Sequence, residues 1–244
     1  MKRIAFIFGN TDGLLGVTKD MRRVDEFLRS AVGGAWDSEE IVVRSNLSLA
    51  DVRAIISYVN EGAFDYVFIY FSGHGGMTRT TNLCLNQKDE MISEEEFRGL
   101  SARQLMIFDC CRVAPRIITN DMKLVFDESD ELLQIRRKEY RDRYNKLIMR
   151  ASPQEIRLYA CQPNKEAYET ASGGDYTRQL ISDTIERSKS MDVYVKDIHR
   201  CARSVVSYDS VQKGKPQTPD MVVRSEYSEP SDLILAVKNI DWPK

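Results

Sequence analysis

Histidine is scarce in this 244-residue chain, which holds only two, and its five cysteines (Cys84, Cys110, Cys111, Cys161 and Cys201) include no CxxC pair. An odd cysteine count without paired spacing excludes a disulfide framework and a zinc knuckle, so free thiols and a reducing, cytoplasmic setting are expected. An excess of charge of one sign is also missing: 35 basic side chains face 37 acidic ones, for a net charge of −2 and a pI of about 5.9. No overall positive field is therefore available to hold nucleic acid or an anionic membrane. Long apolar runs are absent too. The opening "MKRIAFIFGNTDG" is cut by Gly9, Asn10 and Asp12 before a signal-peptide core could form, and no later run approaches the roughly 20 residues that span a bilayer. There are no internal repeats and no low-complexity tract. The length suits a single domain covering 1–244.

What is present is an alternation of strand-length apolar runs with segments of helical period, the pattern of a mostly parallel sheet covered on both faces. "RIAFIFG" (Arg3–Gly9), "EIVVR" (Glu40–Arg44), "YVFIYF" (Tyr66–Phe71), "QLMIFD" (Gln104–Asp109) and "IRLYAC" (Ile156–Cys161) are rich in β-branched and aromatic residues with little polar alternation, as in strands buried on both sides. "DLILAV" (Asp232–Val237) is the expected sixth strand. Helices are predicted over Lys19–Val32, after an Ser48 N-cap and up to Gly62, over Ser93–Arg98, Tyr176–Ser188 and Met191–Tyr208. The stretch Val113–Pro153 breaks this rhythm with an acidic cluster (Asp127, Glu128, Asp130, Glu131) followed by "RRKEYRDRYNK". It reads either as a solvated charged helix or as an exposed linker. A connection this long is unusual in a compact domain.

Two strand ends carry reactive residues. The third strand runs into "SGHGG" and the fourth into "DCCR". In an open α/β sheet, ligands gather at the carboxyl ends of parallel strands. If these strands are neighbours, His74 and the Cys110/Cys111 pair leave the same edge, where an imidazole can take the thiol proton and create a nucleophile. Glycines beside the histidine leave room for a peptide and expose N–H groups to an oxyanion. Asp20 and Asp109 fall just beyond apolar signals at the same edge. A desolvated carboxylate pair there would attract a cationic side chain, and a planar guanidinium bonds two carboxylates better than an ammonium does. Taken singly, His74 could be a turn histidine, Cys111 a buried small hydrophobe, Asp20 a charge in a helix's first turn, Glu166 a solvated loop residue and Ser72 a turn cap. Cys84, Cys110, Cys161 and Cys201 read as structural, and His199 as a surface or interhelical residue.

"YFSGHGG" followed by "FDCCR" resembles the caspase-like cysteine peptidases, most closely their metacaspase and paracaspase branches, over roughly Lys2 to Ile181. The resemblance implies the caspase–hemoglobinase fold: an α/β domain with a roughly six-stranded, mostly parallel sheet and helices on both faces. Its large-subunit-like part would be 1–112, a charged linker 113–155 and a small-subunit-like part 156–244. The Asp-x-Cys register makes Cys111 the nucleophile and His74 its base, with Gly75 and Cys111 supplying the oxyanion N–H groups. The spacing is short, since His74 precedes Cys111 by 37 residues where the caspase signature has about 50. "LLGVTKD" resembles the family's Leu-x-Gly-x-x-x-Asp segment, which implies that Asp20 serves the primary specificity pocket. "YACQPNKEAYE" resembles the stretch that closes it, which implies Glu166 as a further acid beside Asp109 and Ser72. Acids at these positions imply cleavage after Arg or Lys rather than after Asp.

The resemblance also implies protein or peptide substrates with a basic residue before the scissile bond; the compact stand-alone domain points to activation by a separate protein partner. The resemblance implies no cofactor. Calcium activates some metacaspases, but the acidic cluster lacks EF-hand spacing, so no metal site is predicted. Self-cleavage is expected after Arg136, Arg137, Lys138, Arg141 or Arg143. The competing class is a caspase-like scaffold that no longer cuts. A phosphate-cradling loop at "SGHGG" is disfavoured by the lack of GxGxxG or GxxxxGK[ST].

Overall fold

The computed structural model describes residues 1–113 and 134–241. In chain order the strands are β1 (Arg3–Gly9), β2 (Ile41–Ser45), β3 (Tyr66–Ser72), β4 (Gly75–Met77), β5 (Thr81–Cys84), β6 (Met91–Ser93), β7 (Arg103–Asp109), β8 (Gln154–Tyr159), β9 (Glu169–Thr170), β10 (Gly173–Gly174), β11 (Val193–Tyr194), β12 (Asp220–Arg224) and β13 (Ile234–Ala236). The α-helices are α1 (Val17–Arg29), α2 (Leu49–Glu61), α3 (Gln134–Arg150), α4 (Asp175–Ser188) and α5 (Val195–Gln212).

The main sheet has six strands in the order β12-β8-β7-β3-β1-β2. β12 is antiparallel to β8, and every other pairing is parallel. Period-two alternation explains why the strands read as continuous apolar runs. Ala5, Ile7, Phe68, Tyr70, Leu105, Ile107, Ile156 and Leu158 enter one core with α1, α3, α4 and α5. Their neighbours Phe6, Phe8, Ile69, Phe71, Met106 and Phe108 enter a second core on the α2 side. α2 begins as its cap residue dictates: the Ser48 hydroxyl accepts from the Asp51 N–H while Asp51 bonds back to the Ser48 backbone.

Five predicted strands coincide with β1, β2, β3, β7 and β8 to within about two residues. The sixth does not. "DLILAV" supplies β13, which pairs with β11 outside the main sheet, and the sixth main strand is β12. The run is apolar because Leu233 to Val237 are fully enclosed by helices, a setting that periodicity cannot tell from a sheet centre. β12, an edge strand, is hidden because its apolar run is only three residues, Met221 to Val223, bounded by Asp220 and Arg224. β2 is likewise an edge strand, half-exposed beyond Ile41. The helix expected from Met191 starts only at Val195, after β11, and Glu94–Phe97 is a short 3-10 turn.

A larger correction concerns "RRKEYRDRYNK", which is the body of α3 rather than an exposed linker. Tyr140, Tyr144 and Ile148, at i, i+4 and i+8, bury one face of the helix in the core. Tyr144 packs edge-on against Trp36, with ring centroids 6.5 Å apart. The basic face is engaged as well. Arg136 pairs with Asp241, Arg137 donates to the Arg29 and Trp36 carbonyls, Arg141 pairs with Glu40, and Arg143 grips Asp192 through both carboxylate oxygens. Lys138 lies exposed on the same helix. The acidic cluster Asp127–Glu131 lies outside the described residues.

Tyr144→Ala should therefore lower unfolding free energy by about 3 kcal/mol in urea titrations, as deletion of a buried aromatic ring does. His199, interhelical as one reading expected, is buried on α5 with its Nδ1 hydrogen-bonded to the Tyr176 hydroxyl of α4 at 2.7 Å. Burial, then the neighbouring Arg203 charge, pushes its pKa down to about 4 from 6.5. Its neutral form thus stabilises the fold above pH 6.5, and that contribution is lost as pH falls towards 4. In His199→Asn, which keeps a hydrogen-bonding partner for Tyr176, the slope of stability against pH across this window should flatten.

Candidate active site

The register of the two central strands builds the site. β3 pairs with β7 so that Ser72 lies opposite Asp109, and both chains leave the sheet at the same carboxyl edge. Alternation then sorts the cysteines. Cys110 turns into the α2-side core and is buried, whereas Cys111 is half-exposed. The turn after β3 is tied to the turn after β7: Gly76 bridges Val113, and the Met77 N–H donates to the Val113 carbonyl at 2.9 Å. Gly75 sits in the gap between them, where a Cβ would come within 2.7 Å of the Cys110 sulfur and 2.9 Å of the Cys111 carbonyl. Only glycine permits this approach.

His74 and Cys111 line one cleft together with Ser72, Asp109, Tyr168, Glu169 and Gly174. The His74 Nε2 lies 2.8 Å from the Asp12 carbonyl oxygen. A carbonyl can only accept, so Nε2 carries a proton, which in the neutral imidazole leaves the lone pair on Nδ1. The Cys111 sulfur donates to the Ala167 carbonyl and accepts from the Ala167 N–H, both at 3.4 Å. Burial raises its pKa; the Ala167 N–H works against that, and the charges of Glu166, Asp109 and Glu169 add to it. The resting group is the thiol. Cys110 and Cys161 are raised too, chiefly by burial, Cys161 to about 12, which makes both poor nucleophiles.

The acids gather around the N-terminus of α4. Asp20 belongs to the buried stripe Val17, Asp20, Met21, Val24 of α1, a position where an apolar residue would be expected. Its Oδ2 accepts from the Gly174 N–H at 2.6 Å. Asp109 accepts from the Thr177 N–H at 3.1 Å and from its hydroxyl at 2.6 Å. The unpaired amides and positive dipole end of the helix thus offset two carboxylates. Desolvation still raises the proton affinity of both, and Asp109 raises that of Asp20 further.

Asp20 does not itself face the cleft. It lies behind Gly174 with its side chain fully buried. Glu166 does not line the cleft: it is exposed and accepts from the Tyr168 hydroxyl at 3.0 Å, and its charge reaches the site by adding to the rise of the Cys111 pKa. The acid of this stretch that lines the cleft, beside Asp109, is Glu169, three residues on. Antiparallel pairing of β9 with β10 sets Glu169 opposite Gly174 and so turns it inward. The signal was the Gly173-Gly174 pair, which marks a tight return of the chain and selects the residue facing it. The five basic residues proposed as cleavage points stand on α3, away from this edge. Among the described residues no group of three or more His, Cys, Asp or Glu side chains is arranged to hold a metal ion, and no helix is long and apolar enough to cross a membrane.

This combination defines an α/β protein with a thiol and an imidazole at the carboxyl edge of its central strands. The chain belongs to the caspase domain family, a family of cysteine peptidases, whose profile matches residues 2–226. The fold is shared with solved structures. Caspase-1 from Spodoptera frugiperda superposes with a TM-score of 0.59 at 11% identity, covering 98% of this chain and 91% of that one. Protein GSU0716 from Geobacter sulfurreducens also gives a TM-score of 0.59, at 15% identity, covering 93% of this chain and 95% of the other. No curated protein sequence shows significant similarity to the chain.

The raised thiol of Cys111 carries an expected outcome. Its alkylation by iodoacetamide, followed by mass spectrometry, should be slow at neutral pH and keep climbing through the alkaline range. A preformed thiolate–imidazolium pair would instead give a plateau extending into acid.

Proposed function

We propose that the protein is a cysteine endopeptidase that cleaves polypeptides after Arg or Lys, with Cys111 as nucleophile and His74 as general base. The observation that carries this reading is the convergence of Asp20, Asp109 and Glu169 on one end of α4, beside a cleft lined by a thiol and an imidazole. Three carboxylates in a desolvated site recognise a guanidinium or ammonium, not a substrate carboxylate.

In the proposed reaction, Nδ1 of His74 takes the thiol proton as the Cys111 sulfur attacks the carbonyl of the basic residue. The Asp12 carbonyl holds the ring in the tautomer this requires. The N–H groups of Gly75 and Cys111 receive the oxyanion, His74 returns the proton to the leaving amine, and water then releases the acyl group from sulfur. A cation entering beside Asp109 and Glu169 also cancels part of the negative field that keeps the thiol protonated. Binding of the right substrate would thereby favour the nucleophile. Self-cleavage after Arg136, Arg137, Lys138, Arg141 or Arg143 is disfavoured, because a peptidase cleft takes an extended chain and these residues are helical.

Fluorogenic peptides that differ only in the residue before the scissile bond test the reading. Arg and Lys peptides should be turned over, and Asp or citrulline peptides should not. Cys111→Ala and His74→Ala should each lower kcat/KM by on the order of a thousandfold or more. Preference for Asp would overturn the specificity, and full activity in Cys111→Ala would overturn the mechanism.

A further inference from the structure

The most buried acid of the site already holds a guanidinium. Arg23, one turn along α1 from Asp20, places Nη1 2.6 Å from Asp20 Oδ1 and donates from Nη2 to the Ser172 carbonyl at 2.9 Å. The two partners differ sharply in exposure: the Asp20 side chain is 0% exposed, that of Arg23 27%. The cation can therefore withdraw into water, whereas the anion cannot follow it. Asp109 feels the same guanidinium, which counteracts the rise in its proton affinity.

The chain between Glu169 and Gly174 closes over this pair. Gly173 has φ +110°, and a Cβ on it would lie 2.1 Å from Asp20 Oδ1 and 2.7 Å from Arg23 Nη1. The β9–β10 turn thus rests directly on the Asp20–Arg23 bridge, with Ser172 bonded to the arginine and Gly174 to the aspartate. Both oxygens of Asp20 are thus engaged, Oδ1 by Arg23 and Oδ2 by the Gly174 N–H.

We propose that Arg23 is an internal occupant of the specificity site, standing in for the basic side chain of a substrate, which must displace it to reach Asp20. The inference rests on the basic-residue reading above and names its regulation. The exchange trades one guanidinium–carboxylate pair for another, so its intrinsic cost is small. The tethered arginine nevertheless competes at a high effective concentration, and apparent affinity falls by the fraction of molecules in which it has withdrawn. Arg23 therefore sets how strongly a substrate must bind elsewhere along the cleft before its basic residue is accepted.

The test compares wild type with Arg23→Gln and Arg23→Lys, the second keeping the charge near Asp20 should the first fold poorly. KM for an Arg peptide should fall by about fivefold or more in Arg23→Gln and by less in Arg23→Lys, the gain lying in KM rather than kcat. An unchanged or higher KM in both overturns the proposal. Calorimetry with acetyl-arginine amide, in a Cys111→Ala background, reads the same exchange without turnover. Tighter binding in the Arg23→Gln form supports displacement, and equal or weaker binding overturns it. If wild type turns over Arg and citrulline peptides alike, the specificity reading fails, while the calorimetric comparison still decides the role of Arg23.

Discussion

Everything at this site depends on one pairing: β3 lies beside β7, parallel and in a register that sets Ser72 against Asp109. Parallel neighbours end at the same edge, so the turn bearing His74 and the turn bearing Cys111 start within one strand spacing of each other, about 4.8 Å. The same pairing decides which side chains face which way. Alternation sends Cys110 into the α2-side core and leaves Asp109 to meet α4. A slip of one residue would bury Cys111 and turn Asp109 into the opposite, apolar core. That register is held along seven paired positions, from Tyr66↔Arg103 to Ser72↔Asp109, and by the apolar contacts of both sheet faces.

Onto that frame the protein adds an electrostatic balance. Asp20 and Asp109 come from α1 and β7, elements distant in sequence, and would repel each other in a dry site. They coexist because the end of α4 offers amides at Gly174 and Thr177 and the positive end of its dipole. The balance is incomplete, since the proton affinity of both groups stays raised. The residual negative potential lies beside the protonated thiol of Cys111. It adds to the burial that keeps this thiol in its less reactive form.

Much of this was legible in the chain. β1, β3, β7 and β8 declare themselves because a strand buried on both faces has few polar positions to obscure it. "SGHGG" and "DCCR" are recognisable because each abruptly ends such a run. What could not be read depends on tertiary context. β12 is a short edge strand whose apolar run is only Met221 to Val223 between charged residues, while Leu233 to Val237 are apolar because helices enclose them. The tyrosines of α3 are dispersed among eight Lys, Arg and charged neighbours, so the helix looks solvated although Tyr140 and Tyr144 are buried. Glu166 and Glu169 differ only in which of them faces Gly174 across a two-residue strand, a detail that turn geometry decides and composition does not.

The ladder between β7 and β8 has a consequence for the chain's covalent continuity. Six register positions join them, from Arg103↔Gln154 to Phe108↔Tyr159, and helices cover the seam. A break in the backbone anywhere between these strands would leave two fragments locked by an intact hydrogen-bonded seam and a shared apolar interior. They would remain a single noncovalent body, much as a zipped garment survives a cut thread.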